Sequence, residues 1–149
     1  MTTGTGVVDD TILRAPGATV LLSDRRGIPE GAQSVEGTGY DFRRPRPIGS
    51  ARLDHCFTDL VRDDAGLARV ELAAPEESRQ VALWVNPAYT HLMLFTGDAL
   101  PEITRRSLAV EPMTCPPDAF RSGAGLITLE PGGSWVGEWG ITPPPPDVR

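Results

Sequence analysis

Alternation with a period of two is the pattern that recurs along this chain. Ala68, Val70 and Leu72 fall on one side and Arg69 and Glu71 on the other, as in a half-buried β-strand. Residues 63–66, Asp-Asp-Ala-Gly, read as a turn, so 54–61 and 67–72 are expected to form a hairpin. Val81, Leu83 and Val85 alternate with Ala82 and Trp84, and because both sets are apolar this strand is expected to be covered on both faces. Residues 92–95 form a continuous apolar run closed by Thr96-Gly97-Asp98, and 108–113 follow after a polar loop. Residues 126–129 and 135–141 flank Pro131-Gly132-Gly133, a second hairpin signal, with Trp135, Trp139 and Ile141 on one face and Val136 and Glu138 on the other. Residues 24–50 read as a long loop with brief strands, and Pro143 to Pro146 as extended polyproline. No segment carries the period of an amphipathic helix, and no internal repeat is present. The fold class is all-β, most simply an antiparallel β-sandwich of two packed sheets.

Composition agrees with this reading. At 149 residues, with 40 % apolar and 23 % charged positions, the chain has the size and make-up of one globular domain. Its 16 glycines and 15 prolines favour short elements joined by tight turns. The net charge of −6 argues against nucleic acid or an anionic membrane as partner. All 14 basic residues are arginine, and Arg43, Arg44 and Arg46 form the one basic cluster, read as a solvated turn. No run approaches the roughly 20 apolar residues that cross a bilayer. Residues 1–6 lack the basic and apolar regions of a signal peptide, which points to the cytoplasm. Cys56 and Cys115 have neither metal nor redox spacing and are expected as reduced thiols, with no metal and no cofactor.

Glu111 stands out chemically, because it lies inside the apolar segment Leu108-Ala109-Val110-Glu111-Pro112-Met113. Strand parity puts it with Ala109 and Met113, opposite Leu108 and Val110. Taken alone, its bland reading is a glutamate at an edge or facing solvent. The surrounding motifs change that weighting. The segment from Ala109-Val110-Glu111-Pro112-Met113 through Thr114-Cys115-Pro116-Pro117-Asp118-Ala119-Phe120 closely resembles a signature of the aldose 1-epimerase (galactose mutarotase) family. Further matches are Gly39-Tyr40-Asp41-Phe42-Arg43, Ile48-Gly49, Leu53-Asp54-His55-Cys56-Phe57-Thr58, Leu94-Phe95-Thr96-Gly97-Asp98 and Leu129-Glu130-Pro131-Gly132-Gly133-Ser134. They follow the family's order and spacing over almost the whole chain.

The resemblance implies a galactose mutarotase-like β-sandwich, of which residues 1–142 would be the C-terminal half and 143–149 a proline-rich tail. It assigns Glu111 as the general base that takes the proton from the anomeric hydroxyl of a hexose, and Asp54 as an anchor for sugar hydroxyls. Met93 occupies a substrate-contacting position where many galactose mutarotases carry glutamine. The family's general acid is a histidine upstream of the stretch that 1–12 resembles. Positioned acid catalysis is worth roughly 10²–10⁴-fold, so anomer interconversion by the isolated chain is expected to be impaired. His55 and His91 read as packed or strand-end histidines rather than replacement acids. Trp84, Trp135 and Trp139 are expected mostly in the core, and Asp118 as a turn cap. Partners implied are a small aldose sugar and, for a half-sandwich with open strand edges, a second copy or a separate first half. Two other functions compete: a non-catalytic carbohydrate-binding module, and a hexose-6-phosphate epimerase whose phosphate ligands would come from Arg43 to Arg46.

Overall fold

A computed structural model of the chain describes residues 1–3, 6–76 and 79–143. The polyproline expected from Pro143 onward lies, from residue 144, outside the described residues. Among the described residues ten strands run in the order β1 (Ile12–Arg14), β2 (Gly17–Ser23), β3 (Pro29–Ser34), β4 (Arg46–Pro47), β5 (Asp54–Leu60), β6 (Ala68–Ala73), β7 (Gln80–Val85), β8 (His91–Phe95), β9 (Ala109–Met113) and β10 (Trp139–Thr142). A four-residue helix, α1 (Ala119–Ser122), follows β9. The strands divide into two antiparallel sheets of five, ordered β10-β7-β6-β1-β4 and β3-β2-β5-β8-β9. The all-β antiparallel expectation is met.

Alternation explains which residues face inward. Leu13, Val70, Leu72, Leu83 and Val85 of the first sheet pack against Val20, Phe57, Leu92 and Leu94 of the second in one buried cluster. Each pair of opposed positions across a ladder shares a face, so Leu72 opposite Leu13 and Leu94 opposite Val110 stay on the inner side together. Phe42, Ile48 and Leu53 extend the same core into the loops. These loops are tied by Arg105, which donates to Asp9 at 2.7 Å, to Asp98 at 2.9 Å and to the carbonyls of Gly49 and Ala51 at 2.7 and 3.1 Å.

The structure corrects five sequence-level expectations. The turn at 63–66 forms, with the Gly66 N–H donating to the Asp63 carbonyl at 2.8 Å, but 54–61 and 67–72 do not make a hairpin. β5 pairs with β2 and β8, whereas β6 pairs with β1 and β7, so the turn arches from one sheet to the other. The two strands thereby face the same core from opposite sides. The Pro131-Gly132-Gly133 turn likewise forms, its Gly133 N–H donating to the Glu130 carbonyl at 2.8 Å. Residues 126–129 are nevertheless not a strand, and β10 begins only at Trp139 and pairs with β7. β7 is covered on its inner face alone, since Leu83 and Val85 are buried while Ala82 and Trp84 are half-buried. Trp84 packs over Gly140, Trp135 meets Tyr89 edge-on at 5.6 Å, and Trp139 is 52 % exposed, so none of the three tryptophans belongs to the buried core. Asp118 precedes α1 at φ 65 without a side-chain cap and instead pairs with Arg121.

Gly17 is required at the start of β2 by close approach. A Cβ there would lie 2.6 Å from the Phe57 Cβ, and Phe57 is buried in the core. Gly17→Ala is expected to destabilise the fold by about 1–3 kcal/mol through this overpacking, read as a lower urea midpoint at unchanged slope.

Candidate functional site

Asp54, Met93 and Glu111, the residues that the sequence nominates for a site, lie on three adjacent strands. In the second sheet β8 runs between β5 and β9, and Met93 is the Cα partner of Cys56 on one side and of Glu111 on the other. Directly opposed residues point the same way, so Cys56, Met93 and Glu111 form one row on a single face. Asp54, two residues before Cys56 and opposite Phe95, lies on that face as well. The inner face of the same three strands carries Phe57 of β5, Leu92 and Leu94 of β8 and Val110 of β9. Asp54 and Glu111 therefore project from the outer face, offset by two strands and one row. Strand spacing and rise put their Cα atoms about 12 Å apart, with the Met93 thioether between them. Both carboxylate residues are exposed and Met93 is half-buried.

A hollow of about 260 Å³ opens on this face. Asp54, His55 and Cys56 of β5 and Met93 of β8 form its floor, Ser23, Asp24, Arg25 and Gly27 of the β2–β3 turn make one wall, and Pro117 makes another. Glu111 stands beside it on edge strand β9 and is not part of its lining. The wall from the β2–β3 turn was missed from sequence. Its signal was the Asp24-Arg25-Arg26-Gly27 string, which reads as a turn but does not say over which strand it folds. Asp24 rigidifies that turn: its carboxylate accepts the N–H groups of Arg26 at 2.8 Å and Ile28 at 3.0 Å and bonds the Arg26 guanidinium. These bonds, the Ile28 N–H first, hold the Asp24 carboxyl below the ordinary carboxylate range.

The two histidines occupy different situations. His55 has both ring nitrogens engaged. Nδ1 accepts the Asp54 backbone N–H at 3.1 Å, which leaves the proton on Nε2, 3.2 Å from the Tyr40 hydroxyl. Its ring also packs on Tyr40 at 4.6 Å, in agreement with a packed, hydrogen-bonded role. His91 alternates with Met93 along β8 and so shares the face of Glu111, where it is opposite Met113. Its Nδ1 lies 2.8 Å from the Thr90 hydroxyl, which itself donates to the Thr114 carbonyl at 3.0 Å. Because that hydroxyl has one proton, the imidazole donates through Nδ1 and Nε2 carries the lone pair.

The thiols lie close together beside the hollow. Burial, with the proximity of Cys115, pushes the Cys56 thiol up to about 12. A thiol so protonated is not a nucleophile at neutral pH. Arg43 and Arg46 do not reach the hollow. Arg43 grips Asp41 through two bonds of 2.9 and 2.7 Å, and Arg46 lies 3.7 Å over the Phe42 ring while donating to the carbonyls of Asp41 and Gly39. Arg43 and Arg46 fasten a loop, and none of the three arginines of the cluster lines this hollow. Among the described residues no group of three or more His, Cys, Asp or Glu side chains is placed to hold a metal, and no helix is long and apolar enough to cross a membrane.

Burial depresses both histidines below their ordinary value of 6.5, opposed by the charge of Asp54 at His55 and of Asp59 at His91. The unfolded chain therefore binds more protons than the folded one just below pH 6.5. This stabilisation is complete above 6.5 and is lost as pH falls through the folded-state values. The melting temperature is expected to drop from pH 6.5 to about pH 5, and His55→Gln should flatten that slope.

Comparison with known proteins places this arrangement. The family model described as aldose 1-epimerase matches residues 3–142. The uncharacterized protein YihR of Escherichia coli strain K12 is 29 % identical over 125 residues, which cover 84 % of this chain and 38 % of YihR. A crystal structure of an aldose 1-epimerase candidate from Escherichia coli K12 superposes with a TM-score of 0.66 at 18 % identity, over 91 % of this chain and 44 % of that one. The crystal structure of the GalM/aldose epimerase homologue from C. elegans gives 0.60 at 16 % identity, over 73 % of this chain and 38 % of that one. At those identities the solved structures speak to the fold. The chain spans about two fifths of the length of these relatives. With residues 3–142 of the 149 matched by the family model and the expected sandwich present, the chain belongs to the aldose 1-epimerase family.

Proposed function

We propose that this chain supplies the base and the hydroxyl-binding carboxylate for interconverting the α and β anomers of an aldose. The observation that carries the reading is the register Cys56–Met93–Glu111, with Asp54 one row away on the same face. In this reading Glu111 accepts the proton of the C1 hydroxyl, a proton donor protonates the ring oxygen, and the C1–O5 bond breaks. The aldehyde turns about the C1–C2 bond, and the reverse transfers close the ring on its other face. Exposure suits Glu111 to this task, since the group it deprotonates arrives from solvent. Asp54 accepts hydrogen bonds from hydroxyls at the far side of the ring, for which a carboxylate has several lone pairs. Met93 offers a thioether between them. As a weak acceptor and no donor, it contributes contact rather than polar discrimination.

His55 is unsuited to the acid role because both its nitrogens are committed to the protein. Anomer interconversion by the 149-residue chain is therefore expected to be slower than a complete acid–base pair would give, by up to the roughly 10²–10⁴-fold that positioned acid catalysis contributes. A binding-only reading remains the rival, favoured by the position of Glu111 outside the hollow's lining. Polarimetry on freshly dissolved α-glucose and α-galactose separates the two. Catalysis predicts faster mutarotation than buffer, reduced about 100-fold or more by Glu111→Gln at unchanged sugar affinity, and a weakened KM in Asp54→Ala. No acceleration, with saturable quenching of tryptophan fluorescence by the same sugars, would instead establish a binding module.

A further inference from the structure

Four arginines from separate parts of the chain meet at the end of the sandwich remote from Asp54. Arg14 of β1, Arg69 of β6, and Arg43 and Arg62 from loops line a cleft of about 110 Å³. β5 runs from Asp54 at the hollow to Leu60 near this cleft, so the two lie about 20 Å apart. Such a gathering of cations in a chain of net charge −6 calls for a physical reason.

Three of the four guanidinium groups are ion-paired and the fourth is not. Arg14 reaches Glu71 at 3.2 Å, Arg43 grips Asp41, and Arg69 donates to Asp63 at 2.8 Å. Asp63 is the carboxylate that lines the cleft, and it is largely engaged: Oδ1 accepts the N–H groups of Ala65 and Leu67 at 3.0 and 2.9 Å, and Oδ2 accepts Arg69. Arg62 differs from its neighbours. Its guanidinium is held by the carbonyls of Gly66, Val85 and Tyr89 at 3.3, 3.4 and 2.8 Å, with no carboxylate in ion-pair reach among the described residues. Burial correspondingly lowers its pKa. The charge of Glu36 also acts on Arg43, so what the cleft offers a ligand is four guanidinium groups whose positions are fixed by bonds that leave other N–H donors unspent. Pro16 and Leu67 complete the lining with apolar surface, which strengthens an electrostatic contact by excluding water.

We propose that this cleft binds a phosphate group. A compact tetrahedral dianion presents acceptors in several directions at once, matching forks that arrive from four chain segments, and each fork can engage two oxygens. The volume admits the anionic group itself and leaves any attached organic portion outside. The site is independent of the sugar-handling face.

The test titrates the full chain with inorganic phosphate and, in a second arm, glucose 6-phosphate, at constant ionic strength balanced with chloride. The readouts are 15N–1H spectra of the arginine Nε–H groups and the melting temperature. Expected is a saturable shift of Arg62 and Arg69 with half-saturation of about 1 mM and a parallel rise in melting temperature. Tighter binding of inorganic phosphate identifies the free ion as ligand, and tighter binding of glucose 6-phosphate a phosphomonoester; either supports the site. Arg62→Gln would also remove struts to three carbonyls, so Arg14→Gln and Arg69→Gln carry the test. Each should weaken binding about tenfold while the remote Arg106→Gln leaves it unchanged. Shifts that fail to saturate by about 20 mM, an equal response to chloride, or affinity unaltered in both variants would overturn the proposal.

Discussion

The pairing of β8 with β5 on one edge and β9 on the other is the constraint on which the candidate site depends. A one-residue slip of β9 would drive Glu111 toward the core and expose Val110, because side chains alternate with a period of two. The slip is opposed by Leu92 and Leu94, which are buried on the inner face and pair with Pro112 and Val110. The apolar face thus sets the polar one: the hydrophobic contacts that close the sandwich also decide which carboxylates meet solvent together. Asp54 inherits its place in the same way, since Phe57 three residues later is locked into the core opposite Val20 and Leu92.

Much of the second sheet was legible in the chain. Residues 92–95 and 108–113 announced β8 and β9 through apolar runs bounded by turn residues, and parity alone put Glu111 opposite Val110. Sheet membership was not legible. Asp63 to Gly66 make the same local hydrogen bonds in an arch between sheets as in a hairpin, and only the distant partners of β5 and β6 distinguish the two. The last strand was overread for a related reason: Trp135 and Val136 have the composition of a strand, but pairing with β7 begins at Trp139. Within the candidate site, the two carboxylates and the thioether were nominated by family resemblance alone. The wall built by Asp24 and Arg25 depends on how a turn folds over a neighbouring strand, which no local pattern encodes.

Two histidines of similar burial illustrate how hydrogen bonding divides roles that composition leaves equal. His55 is closed off, one nitrogen capped by a backbone N–H and the other by Tyr40, and serves to pin the 39–43 loop against β5. His91 spends one nitrogen on the Thr90–Thr114 relay and keeps the other uncommitted on the face of Glu111. The arginines divide likewise. Arg46 and Arg105 are consumed by carbonyls and carboxylates that fasten loops, whereas Arg62 is held by carbonyls alone.

At the other end of the first sheet, Trp139 and Ile141 continue the inner-face rows of Val85 and Leu83, yet they are 52 % and 54 % exposed because the facing sheet does not extend over β10. With Val136 and Leu129 nearby in sequence and also exposed, the native protein displays apolar surface of the kind that environment-sensitive dyes adsorb to. An extrinsic fluorophore would consequently be bright before any unfolding began, and thermal scans that rely on one would begin from a raised baseline.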